Sequence, residues 1–188
     1  MARSKSISGG CLCGAIRFTI AFPNEGDWPP KGNGICQCTM CRKHSGSLLP
    51  QNIGFPRAHV SQPLESNATF KTYKSSESAS RGFYSTCGSP LTFIDTKVKD
   101  IYEINAGAID EDVLVGKRDE ANAWEDEYGR HVPRIGGIGK ELCYPAYHIF
   151  MDNEIAGLTD GFPGTKFLQS RDCGKPFTGN TRDMKRRT

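Results

Sequence analysis

Six of the eight cysteines stand in three short groups: Cys11-Leu12-Cys13, Cys36-Gln37-Cys38-Thr39-Met40-Cys41, and Cys87 within Cys87-Gly88-Ser89-Pro90. Thiols this close together can converge on one cation. Zinc takes thiolates at about 2.3 Å, and glycine-flanked tight turns allow that approach. A disulfide is the poorer reading, because two cysteines separated by one residue on an extended strand point the same way but meet S–S geometry badly. The groups are therefore read as metal-ligand sets. Arg42, Lys43 and His44 follow Cys41 directly. Cations there suit a substrate carboxylate or a developing oxyanion. An imidazole there suits proton transfer. The plainer reading of Arg42 and Lys43 is an exposed helix face, where charge does little.

Composition narrows the setting. A chain of 188 residues is long enough for one domain with a real core. Its opening residues, Met1 to Ser6, have no apolar stretch behind them, and no apolar run is long enough to cross a bilayer. The expectation is a cytoplasmic protein whose cysteines stay reduced and bind metal. The net charge of +3 is mild, and part of it lies in the tail Arg182 to Thr188. No basic stripe interleaves with aromatics, which argues against nucleic acid as a partner. The sequence leaves the oligomeric state open.

The elements that must position these groups are mostly strands. Residues 14–22 alternate apolar and polar side chains with a period of two, the pattern of a half-buried strand. Residues 70–73, 90–94 and 101–106 read similarly, with turn-forming clusters between them. A short helix is expected over 38–45. Segments 23–34 and 111–147 read as long loops holding Trp28 and Trp124, each of which either lines a pocket or caps exposed core.

Gly10-Cys11-Leu12-Cys13-Gly14-Ala15-Ile16-Arg17-Phe18 resembles the opening signature of the glutathione-dependent formaldehyde-activating family, which centromere protein V shares. Cys36-x-Cys38-x-x-Cys41-Arg42-Lys43 resembles its second motif. Tyr73 to Ser76, Arg81-Gly82-Phe83 and Cys87-Gly88-Ser89-Pro90-Leu91-Thr92-Phe93 resemble its third. Gly107-Ala108-Ile109-Asp110, His148-Ile149-Phe150 and Asp160-Gly161-Phe162-Pro163 resemble its later turns. Five ordered motifs are far more specific than one Cys-x-x-Cys.

The resemblance implies a mainly β fold, a small zinc-binding β-tent of twisted antiparallel sheets over residues 8–163. Loop 111–147 would be an insertion, and 164–188 a C-terminal extension with a basic tail. It implies two zinc sites: a structural one on Cys11, Cys13 and Cys87, and one on Cys36, Cys38 and Cys41 with a fourth position for exchange. It implies a carbon–sulfur lyase, with glutathione as co-substrate, acting on the thiol adduct of an aldehyde or another small electrophile. The sequence departs from the family in one place. Tyr84 stands where the third motif has a ligand cysteine, and a phenol is a poor zinc ligand at neutral pH. Cys143, Cys173, a histidine or water are the candidates to complete that site, which is otherwise weak or empty. Cys143 and Cys173 are most simply buried free thiols. The rival readings are a non-catalytic zinc module that binds a protein, and a hydrolase or hydratase using zinc-bound water.

Overall fold

The computed structural model describes residues 4–184. Of the basic tail, Lys185, Arg186 and Arg187 lie outside the described residues. The chain forms β1 (Ser6–Gly10), β2 (Arg17–Ala21), β3 (Gly32–Cys36), α1 (Thr39–Ser45), β4 (Gln51–Pro56), β5 (Val60–Ser61), β6 (Phe70–Lys74), β7 (Ala79–Tyr84), β8 (Pro90–Asp95) and β9 (Ile101–Asn105). The rest comprises α2 (Glu111–Leu114), β10 (Gly116–Arg118), β11 (Trp124–Asp126), β12 (Gly129–His131), β13 (Arg134–Gly136), α3 (Gly139–Cys143), β14 (Tyr147–Ile149) and β15 (Thr165–Lys166). The fold is mainly β, as the sequence pattern requires.

Two sheets enclose the core. The larger has eight strands in the order β15-β14-β3-β4-β9-β8-β7-β6, and the smaller has the order β1-β2-β5. Period-two alternation explains the packing. Phe18 and Ile20 of β2, Ile53 and Phe55 of β4, and Tyr102 and Ile104 of β9 turn inward and join one buried cluster with Ile7, Ile16 and Leu91. Fully burying one such side chain contributes about 1.5–3 kcal/mol. The expectation of purely antiparallel sheets needs correction at one edge. β14 runs parallel to both β3 and β15, because residues 106–146 carry the chain back to the end at which β3 begins, and residues 150–164 carry it back again before β15.

That segment is not a structureless loop. β10 pairs with β13, β11 pairs with β12, and α2 and α3 flank them. Its base is anchored: Leu142 is fully buried, and Val113, Leu114 and Ile138 pack on the core. Its tip is solvated, with Trp124 stacked flat on His131 at 4.8 Å but half exposed. Trp28 instead packs edge-on against Phe22 at 5.0 Å, so it caps core. The C-terminal extension also packs down. The Lys166 ammonium donates to the carbonyl of Gly179, and Thr181 N–H donates to Glu154. No described helix is long and apolar enough to cross a membrane.

Candidate metal centres and the face they share

The first cysteine trio lies where two distant turns meet. Cys11 and Cys13 sit in the loop between β1 and β2, and Cys87 sits in the tight turn from β7 to β8, closed by Gly88 N–H on Tyr84 O at 2.8 Å. The three sulfurs all lie within 4.8 Å of one another. The Cys11–Cys13 separation is 3.6 Å. A tetrahedron with Zn–S bonds of about 2.3 Å has edges of about 3.8 Å, so this donor set fits a zinc-sized thiophilic ion. Cys11 is buried, Cys87 partly so and Cys13 exposed. The Ser89 hydroxyl, 3.2 Å from Cys87 Sγ, helps hold that thiol down to about 6. Tyr84 belongs to the buried core. Cys143 and Cys173 join neither trio. Cys143 is part-buried, but Cys173 is exposed, contrary to the expectation of a buried thiol.

The second trio forms within a single strand-to-helix turn. Cys36 ends β3. Cys38 caps α1, its Sγ accepting from Cys41 N–H at 3.3 Å, and Gly46 ends the helix in the left-handed region at φ 69°. The Cys36, Cys38 and Cys41 sulfurs also lie within 4.8 Å of one another, with Cys36 and Cys41 buried. Their crowding splits the protonation states. The Cys36 and Cys41 hydrogen bonds pull Cys38 far below the usual thiol range, while the bond to Cys38 pushes Cys36 up. Three adjacent, mostly buried sulfurs hold several negative charges only around a cation. Among the described residues no fourth His, Cys, Asp or Glu joins either trio.

Sequence reasoning treated Arg81 as a motif residue with no assigned role. The structure makes it the main charge beside the second trio. It is 5% exposed, both terminal nitrogens lie 3.5 Å from Cys41 Sγ, and its Nε donates to Ser75 Oγ at 3.1 Å. No carboxylate pairs with it among the described residues. A buried guanidinium requires a counter-charge, and here the sulfur is the group in place to supply it. The clue in the sequence was an arginine inside an alternating strand at a position that ends up covered.

Arg42, Lys43 and His44 take three different places. Arg42 is occupied, donating from Nη2 to Gln37 Oε1 at 2.6 Å and from Nε to Leu48 O at 3.1 Å. Lys43 is exposed. His44 is half-buried, three residues after Cys41 on the same helix face, and its Nε2 is buried without a partner. Burial, then Arg81, pushes its pKa down, so it is a neutral proton acceptor at pH 7. Gln37 was also missed. Fully buried between two ligand cysteines, it accepts from Thr159 Oγ1 at 2.7 Å and donates to Thr159 O at 3.0 Å. These bonds lock the Cys36–Cys38 backbone. His148 is buried as a core residue, its Nε2 facing Pro163 O at 2.6 Å. Arg17 pairs with Asp110, which also accepts from Ser8 and so ties β1 and β2 to the turn before α2.

Strand register shows what else shares the trio's side of the sheet. Directly opposed residues of antiparallel strands point to one face. Gly32, Gly54, Glu103, Phe93 and Arg81 form one such row. Gly34 and Cys36 continue this face along β3. The Tyr147 ring lies so close over Gly34 that a Cβ there would sit 2.1 Å from it. A cavity of about 390 Å³ opens between Glu103, Asp95, Tyr147, Arg171 and the glycine pair. A larger cleft of about 780 Å³ lies at the sheet end between the Cys11 loop, the end of α1 and the turn at Gly107.

The family model for "Glutathione-dependent formaldehyde-activating enzyme" matches residues 6–127, more than half of the chain. None of the curated proteins matches. A crystal structure of a Rhodobacter sphaeroides protein from structural genomics aligns with TM-score 0.42 and 19% identity, over 56% of this chain and 89% of that one. That likeness is too weak to bear an argument. The motifs matching His148 to Pro163 fall outside the matched span, as do β14 and β15. With both cysteine trios and their connecting strands inside it, the chain belongs to the glutathione-dependent formaldehyde-activating enzyme family.

Proposed function

We propose that this chain is a zinc-dependent enzyme of the carbon–sulfur lyase type, joining a glutathione-like thiol to an aldehyde or other small electrophile and cleaving the adduct. The carrying observation is the second trio: three converging sulfurs, no fourth protein ligand among the described residues, and a buried arginine against Cys41. Cys36, Cys38 and Cys41 would hold zinc, which there supplies a lowered thiol pKa and Lewis acidity toward a carbonyl. Arg81 offsets ligand negative charge, and Gln37 with Arg42 holds the ligand turn rigid. Neutral His44 accepts the thiol proton. In the forward reaction the sulfur–carbon bond forms, the carbonyl π pair moves to oxygen, and that oxygen takes up a proton. The exposed Lys43 is placed to attract an anionic substrate tail.

The test is the exchange rate between glutathione, ¹³C-labelled formaldehyde and their hemithioacetal, followed by NMR with the zinc-loaded protein. The expected result is acceleration by the wild type and none by Cys38→Ser. Equal exchange with and without the protein contradicts the reading. It would favour a protein-binding module, or a zinc-water hydrolase or hydratase. The support for an enzyme is the family match, and the thiol follows from the family's glutathione dependence.

A further inference from the structure

Gln37, the residue between two ligand cysteines, is gripped by residues beyond 127, outside the span that the family model matches. Its backbone N–H donates to Ile149 O at 3.0 Å. Its side-chain amide donates to Thr159 O at 3.0 Å and lies 3.2 Å from Met151 Sδ. The Thr159 hydroxyl serves twice. It donates to Gln37 Oε1 at 2.7 Å and accepts from Ile155 N–H at 2.8 Å. Gln37 and Thr159 are both almost fully buried. The loop that carries Thr159 is pinned in turn by Lys166. This lysine is also buried, and its ammonium donates to Asp160 O at 2.6 Å and to Gly179 O at 2.7 Å. The Asp160 carboxylate accepts from Gly157 N–H at 3.0 Å, closing the loop on itself. A buried ammonium is costly unless it is hydrogen-bonded, so the lysine and the two carbonyls keep one another in place.

We propose that Thr159 is a positioning residue for the metal at Cys36, Cys38 and Cys41, and that Lys166 holds it in place. Cys36 ends β3, and Cys38 has extended backbone. Neighbouring side chains on extended backbone point to opposite sides, so fixing the Gln37 side chain on one side aims Cys36 and Cys38 to the other. Three sulfurs within 4.8 Å of one another repel as thiolates, and a free turn would spread them before a cation arrives. The grip on Gln37 removes that freedom, so less ordering is left for metal binding to offset. Arg42 reaches Gln37 Oε1 from the helix at 2.6 Å, so the amide is held from two directions. Neither Thr159 nor Lys166 belongs to a sulfur trio, so both act through Gln37. None of these bonds reaches Cys11, Cys13 or Cys87, which makes the first trio an internal control. The inference rests on the zinc reading of the second trio. It adds that residues 149–166 set how tightly that trio holds its ion.

The test is zinc-dependent protection of the cysteines from iodoacetamide, in the full chain at buffered free zinc, read peptide by peptide after trypsin. Cleavage after Lys5, Arg17, Lys31 and Arg42 puts Cys11 and Cys13 in residues 6–17 and the whole second trio in residues 32–42, so each trio reports its own midpoint. Thr159→Val keeps the branched shape and removes the hydroxyl. It should raise the free-zinc midpoint of residues 32–42 by roughly 10–100-fold and leave that of residues 6–17 unmoved. Thr159→Ser keeps the hydroxyl and should behave as the wild type. Lys166→Met should shift the same midpoint in the same direction. An unmoved midpoint for residues 32–42 in Thr159→Val overturns the inference and leaves the zinc reading standing. Equal shifts at both trios also overturn it, because they report a general loss of the fold. A shift in Thr159→Ser as large as in Thr159→Val overturns the role of the hydroxyl, and no shift in Lys166→Met overturns the role of the lysine. If zinc does not protect residues 32–42 in the wild type, the zinc reading fails, and the inference with it.

Discussion

The two cysteine trios have the same chemistry and opposite surroundings. One joins positions 11 and 13 to position 87, bridging two sheets, with Cys13 exposed and a serine hydroxyl beside Cys87. The other is built from six consecutive residues, is mostly buried and has Arg81 against one sulfur. A link across the first trio closes a long loop. By analogy with a covalent cross-link it contributes about 4 kcal/mol through the unfolded chain. A link within the second closes almost no loop and restrains little chain entropy. On the proposed reading, ligand spacing separates a fold-stabilising role from a chemical one, and the buried arginine beside Cys41 marks the chemical one.

Changes at five positions would break or sharpen that contrast. The largest effect is expected from Cys38→Ser. It should remove about one zinc per chain by elemental analysis while shifting the melting temperature little. Cys13→Ser should shift the melting temperature strongly. Equal metal content in wild type and Cys38→Ser would undo the assignment. Next, Arg81→Met should weaken zinc binding at the second trio by roughly 10–100-fold, read by chelator competition, with Arg81→Lys in between.

Tyr84→Cys should act in two directions. In excess chelator it should lower the melting temperature, because it leaves a cavity in the core at a cost of about 3 kcal/mol. In excess zinc it should raise it, because a fourth thiolate completes the first site. A melting temperature unmoved by zinc would mean that the first trio does not bind metal in the folded chain.

A separate effect concerns Glu103. Burial and nearby Asp95 raise its folded pKa to about 7, above the ordinary glutamate value of 4.5. Below about 4.5 both folded and unfolded chains carry the proton. As pH rises to about 7 the unfolded chain ionises first, so the fold loses up to about 3 kcal/mol of relative stability. Denaturant unfolding of the wild type should show this loss relative to Glu103→Gln. Parallel pH curves would mean that Glu103 is fully solvated.

The cysteine groups, the short helix after them and the main strands were legible because each rests on local spacing: ligand intervals, a capping residue, or period-two alternation. Glu103 and Arg81 were not. Alternation within a strand shows neither what covers such a residue nor what it faces. Their importance comes from Cys41, Arg171 and two glycines that lie far away in sequence. The 111–147 segment read as a loop because its strands have three residues each, too short for periodicity to show. The parallel pairing of β14 was likewise invisible, since it depends on where that segment returns the chain.

The central claim is that substrate thiol binds at Cys36, Cys38 and Cys41 and not at the other trio. Cobalt spectra of Cys13→Ser and Cys38→Ser, each retaining one intact trio, test it directly. Adding glutathione should strengthen the sulfur-to-cobalt bands in Cys13→Ser and leave Cys38→Ser unchanged. A response confined to Cys38→Ser would contradict the account, because it would place the reacting metal at Cys11, Cys13 and Cys87.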